Sequence, residues 1–120
     1  MNIRGDVVYL EFCLHEMEDP RQAIDHVRSL APDVVIFEHS PSSEWVFFAA
    51  EEDQVCRSTQ ALAHFPIKHR QNVYAEQIFK DYAELVSKLH TQGDLAIQRA
   101  LRFAGETDIR IPMKCTLIFL

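Results

Sequence analysis

Glycine is scarce in this 120-residue chain, with only Gly5, Gly93 and Gly105. None of them falls in a Gly-rich turn between a strand and a helix, so neither a phosphate cradle nor a dinucleotide fingerprint can be built. Cysteine is limited to Cys13, Cys56 and Cys115, an odd number with no Cys-x-x-Cys pair, which excludes a zinc ribbon or a thioredoxin-type motif. No apolar run approaches the ~18 residues of a membrane span. Positive charge is also short: twelve basic residues face eighteen acidic ones, a formal net charge of −6. That sign opposes nonspecific binding to nucleic-acid phosphates.

What is present is the composition of an ordinary soluble domain, 48% hydrophobic and 25% charged. A chain of this length buries roughly two-thirds of its unfolded surface around one core. With no internal repeat or linker, residues 1–120 are expected to form a single domain. Met1 leads almost directly into a strand-like run with no signal-peptide pattern, so a cytoplasmic protein with reduced thiols is expected.

The run Asp6 to Leu14 is β-branched and aromatic and apolar on both faces, which predicts a buried parallel strand. Asp19 is a good N-cap, Pro20 suits the first helical position and Gln22 can complete a capping box. Ala23, Ile24, Val27 and Leu30 make one helical stripe, stopped by Ala31-Pro32. Asp33 to Glu38 is a second buried strand. Strand, helix and strand in about 33 residues form a βαβ unit, whose crossover is right-handed in nearly all cases.

Beyond it, Pro41-Ser42-Ser43 predicts a turn and cap, and Glu44 to His64 one long helix. Ile67 to Asn72, with its basic run Lys68-His69-Arg70, reads as a solvated loop. The stripe Ile78, Tyr82, Leu85, Val86 and Leu89 predicts a helix over Tyr74 to His90. Asp94 caps a short helix through Phe103, and Gly105 suits the position after it. Thr107 to Leu120 alternates, as a long strand buried mainly on one face does.

Ligands of open α/β sheets bind beyond the carboxyl ends of parallel strands. Here those ends carry Cys13-Leu14-His15-Glu16-Met17 and Glu38-His39-Ser40. Adjacent strands bring His15, Glu16, Glu38 and His39 to one rim, although each of these residue types also serves as a plain solvated loop residue. Their spacing matches no metal-ligand motif, and no metal is expected. Cys13 is a nucleophile only if a base lowers its pKa, and a buried inert thiol is the simpler reading. Trp45 and Phe48 either line an apolar substrate pocket or pack their helix on the sheet.

The segment Asp6 to Met17, then Pro20, then Asp33 to His39 resembles the centre of class I S-adenosylmethionine-dependent methyltransferases. Leu14-His15-Glu16-Met17 is similar to the loop after the fourth strand in the branch that methylates small molecules. Arg110 to Phe119 resembles a late strand of the same sheet. The resemblance covers nearly the whole chain. It implies an α/β fold: a partial Rossmann-like three-layer sandwich with a βαβ unit, further helices and a C-terminal strand. It implies S-adenosylmethionine as cofactor, with Phe12, Cys13 and Leu14 on the loop facing it. His15 and Glu16 would face substrate or cofactor, His15 or His39 would act as general base, and Glu38 would orient a histidine. Trp45 and Phe48 are the candidate substrate-binding residues.

The family's first three strands, with their Gly-rich loop and ribose-binding acidic residue, have no counterpart here. Three alternatives follow: a methyltransferase fragment, one part of a split enzyme completed by a second polypeptide, or a non-enzymatic dimerisation or interaction module. A three-stranded sheet without its neighbours leaves an unpaired edge, which predicts a homodimer.

Overall fold

The computed structural model describes residues 7–120. Asp6 and Gly5 lie outside the described residues. The first strand, β1, is Val7–Glu11, followed after a short 3-10 turn by α1, Pro20–Leu30, and β2, Asp33–His39. The β1–β2 pair is parallel, Val7 opposite Asp33 through Glu11 opposite Phe37. Asp19 caps α1 by accepting a 3.0 Å hydrogen bond from the Gln22 backbone N–H. The βαβ unit therefore forms from the residues expected to specify it.

Several expectations need correction. β1 is parallel but not buried, since Val7 and Tyr9 are each about half exposed. Among the described residues it has a partner on one side only and lies at the edge of the sheet. The single helix expected over Glu44 to His64 is two, α2 at Glu44–Phe48 and α3 at Glu52–Leu62. Between them Ala50 adopts φ 57°, a left-handed conformation that an α-helix cannot pass through. Ser43 precedes α2, but its hydroxyl accepts from the Lys114 N–H instead of capping the helix.

The largest correction concerns residues 67–90. The expected loop and the first half of the expected helix are one 13-residue strand, β3, His69–Asp81. Its partner is β4, Thr107–Phe119, antiparallel along nearly its whole length. Helix α4 starts only at Tyr82 and ends at Leu89, and α5 spans Asp94–Ala100. Gly93, at φ 102°, occupies the cap position expected of Asp94. Gly105 follows at φ 81°, where a side chain would be strained.

Among the described residues the sheet accordingly has four strands, not three, in the order β1-β2-β4-β3, with β4 also antiparallel to β2. Helices cover both faces. On one face α1 and α3 bury Leu14, Ile24, Val34, Ile36, Leu62 and Ile118. On the other, α2, α4 and α5 bury Trp45, Phe48, Phe79, Leu85, Leu89 and Ile111. Burial in β4 changes phase along its length, from Ile109, Ile111 and Cys115 to Ile118 and Leu120, because helices cover opposite faces at its two ends. The long β3–β4 pair stretches the molecule to 54 × 29 × 24 Å, with a radius of gyration of 16.4 Å. A compact domain of this length has about 14 Å. Among the described residues no helix is long and apolar enough to cross a membrane.

Candidate functional site

The carboxyl ends of β1 and β2 carry the site. β1 stops at Phe12, whose φ of 51° turns the chain while its N–H still bonds the Phe37 carbonyl at 2.8 Å. The 3-10 turn Leu14–Glu16 then folds back over the strand ends. It drives Leu14 into the core, completely buried, and points His15 inward, only 3% exposed.

His15 meets Glu38, the next-to-last residue of β2. Its Nδ1 lies 2.7 Å from Glu38 Oε1, and its backbone N–H donates to Oε2 at 3.1 Å. Glu38 Oε1 also accepts from the His39 N–H at 2.9 Å. The opposite imidazole nitrogen, Nε2, is 2.6 Å from Glu51 Oε2. Glu16, the remaining member of the expected group, is 3.9 Å from Nε2 with a largely exposed side chain. Buried polar groups of this kind are tolerable only when fully bonded, and here both imidazole nitrogens have partners.

Sequence reasoning missed Glu51. It lies just beyond Ala50, and only the left-handed turn there brings it to the rim. In a continuous helix the same residue would have been one more solvated carboxylate, so the sequence carries no periodic signal for it.

The electrostatics separate the two histidines. Burial alone disfavours a charged His15, but its hydrogen bonds to Glu38 and Glu51 outweigh this and raise its pKa to about 10. Burial likewise disfavours a charged Glu38, yet the bonds from His15 and the His39 N–H bring it below the usual carboxylate range. His39 goes the other way. Burial and the neighbouring His15 cation outweigh the attraction of Glu38 and Glu51 and hold its pKa below the ordinary histidine value. At neutral pH His15 is an imidazolium and His39 a neutral imidazole. Of the two, only His39 is able to accept a proton there. Its ring stacks on Phe12 at 4.6 Å and meets the His15 ring edge-on at 5.5 Å.

Cys13 is partly exposed, and burial together with Glu38 pushes its thiol up, away from the reactive thiolate. Cys115 is buried 3.9 Å from His39 Nδ1, its pKa raised to about 11 mainly by burial. Trp45 and Phe48 are core residues, 5% and 3% exposed, packed on Phe79 and Phe103. Both belong to the core that α2, α4 and α5 cover, and Phe48 also lines a cavity with Pro41, Ser43 and Arg102. Among the described residues no group of three or more His, Cys, Asp or Glu side chains is placed to hold a metal ion.

No family model matches the sequence, and no curated protein matches it. Solved structures do resemble it. A candidate methyltransferase from Bacillus halodurans C-125 superposes on 99% of this chain with a TM-score of 0.63 at 8% identity. The plantazolicin methyltransferases BpumL and BamL, both in complexes containing SAH, align less closely. BpumL gives a TM-score of 0.40 at 16% identity over 96% of this chain, and BamL 0.37 at 11% over 98%. Those two overlays are too loose to compare sites. The chain spans 64% of the Bacillus halodurans protein and about half of the other two. Its architecture is α/β, a partial Rossmann-like sheet of the methyltransferase kind.

Proposed function

We propose that this chain is the substrate-side portion of an S-adenosylmethionine-dependent methyltransferase acting on a small molecule, and that it needs further strands beside β1 to hold the cofactor. The observation that carries the reading is the parallel β1–β2 pair, with His15 and His39 in edge contact at its carboxyl end and its outer edge open among the described residues. Strands added there would extend the sheet in the direction that the methyltransferase-like fold implies.

The described residues do not by themselves fit S-adenosylmethionine. Leu14, expected on the cofactor loop, is fully buried in the core, and Phe12 is stacked between Phe37 and His39. No glycine follows a parallel strand to let a backbone approach the methionine part. No step is therefore assigned to the cofactor on this chain alone. In this reading His39 removes the substrate proton, Glu38 holds His15, and the His15 cation keeps His39 neutral. The added strands come from a longer polypeptide, a second polypeptide or a second copy.

A second reading, a dimerisation module, is favoured by the same edge. Val7 and Tyr9 are exposed on a strand whose outer backbone groups have no sheet partner among the described residues, a template for strand addition. One experiment separates the readings: calorimetric titration with S-adenosylmethionine and S-adenosylhomocysteine, with molar mass measured at the same protein concentration. Absence of binding of either at millimolar ligand is the expected result. Micromolar binding by the monomer would overturn the need for added strands. A dimer without binding would favour the module.

A further inference from the structure

Beside the rim, on the face of the sheet that α3 covers, lies a cavity of about 260 Å³. Its floor is Asn72 of β3 and Thr116 of β4, register partners whose side chains approach to 3.5 Å. Arg70 is two residues before Asn72, and Lys114 two before Thr116. The side-chain period of two puts all four on one face. Because the strands are antiparallel, the two cations flank the Asn72–Thr116 pair from opposite sides. Leu62 of α3 adds apolar lining, and Ile118, the register partner of Arg70, adds more at the Arg70 end.

The charges of this cavity are unbalanced in an otherwise acidic chain. Glu38 is the one carboxylate lining it, and both of its oxygens are already bonded to His15 and the His39 N–H. Among the described residues neither Arg70 nor Lys114 has a carboxylate within ion-pair distance. A guanidinium takes a carboxylate through two parallel N–H bonds, and an ammonium takes a second anion as a point charge.

We propose that this cavity binds a small molecule with an anionic group at each end of a short linker, of the dicarboxylate class. One carboxylate meets Arg70, the other meets Lys114, and the middle of the molecule lies over the Asn72–Thr116 pair. The volume is below that of sites for drug-sized ligands, roughly 300–1,000 Å³, so the ligand is small. The site requires neither cofactor nor added strand, and it stands or falls independently of methyl transfer.

The test is titration of the chain with succinate and with acetate, followed by backbone amide NMR shifts. Succinate is expected to give saturable shifts at residues 70–72 and 114–116, with an affinity at least about tenfold above that of acetate. Arg70→Gln and Lys114→Gln are each expected to weaken succinate binding by about tenfold, the loss of one charge-assisted contact. Lys88→Gln, on the exposed side of α4, is expected to change nothing. Both cavity cations are at least partly exposed, so their substitution leaves folding intact. Absence of saturable shifts at the cavity, equal affinity for the two anions, or unchanged succinate affinity in both cavity variants would overturn the proposal.

Discussion

Around Trp45, Phe79, Leu85 and Ile111 the sheet is held by apolar contact, aromatic stacking included. At the carboxyl end of β2 a single imidazole sits between two carboxylates and joins three segments: the turn after β1, the end of β2 and the start of α3. The first region gains from every buried methylene and is indifferent to pH. The second depends on protonation, because loss of the His15 proton leaves the Glu38 and Glu51 carboxylates without a cation between them. One fold thus contains a region that tolerates chemical conditions and another that reads them.

The largest effect is expected in the apolar region. Trp45→Ala should destabilise the chain by about 3–5 kcal/mol, through lost transfer energy and the cavity left behind. Denaturant titration should find the same loss at pH 6 and pH 9. His15→Ala should cost a similar or slightly smaller amount, about 3 kcal/mol, by stranding Glu38 and Glu51. Its loss should shrink with rising pH. The folded pKa of His15, about 10, stands above its unfolded value of 6.5. The folded state therefore holds the proton more tightly, and stability falls as pH rises from about 6.5 through 10. A stability profile for the parent chain that stays flat from pH 6.5 to 10 would sink the comparison. Glu38, shifted downward, acts in the opposite window, its contribution disappearing as pH falls below the ordinary carboxylate range. The smallest effect belongs to neither region. Asp19→Ala removes the cap of α1 and should cost about 1 kcal/mol at neutral pH. Thermal unfolding resolves a change of that size.

The sequence reading succeeded where local signals agreed with the tertiary structure. Asp19, Pro20 and the apolar stripe behind them specify α1, and Val34 and Ile36 mark β2 as buried. The rim followed from those two strands, since parallel neighbours end together and so bring His15 to Glu38. The reading failed at β3, where Ile78 stands in helical phase with Tyr82, Leu85 and Leu89 although a strand ends between them. Pairing along β4 overrides that periodicity, and Ile78 is exposed. A local signal was available: Asp81 with Glu84 three residues later is a capping pattern, and the Glu84 N–H does bond the Asp81 carboxylate at 2.9 Å. No comparable signal marked Ala50. Its left-handed backbone separates α2 from α3 at a residue type that gives no hint of it, so the second carboxylate beside His15 could not be read from the sequence.

The sheet order has a consequence for biosynthesis. β4 lies between β2 and β3, yet it is the last of the four strands to leave the ribosome. Until it emerges, β2 can pair only with β1, and β3 has no partner at all. The βαβ unit can assemble during translation, at about 5–20 residues per second, but the second half of the sheet must wait for β4. A nascent chain stalled before Thr107 would therefore present one ordered strand pair followed by an unpaired, 13-residue β-prone segment, the form that chaperones would meet first.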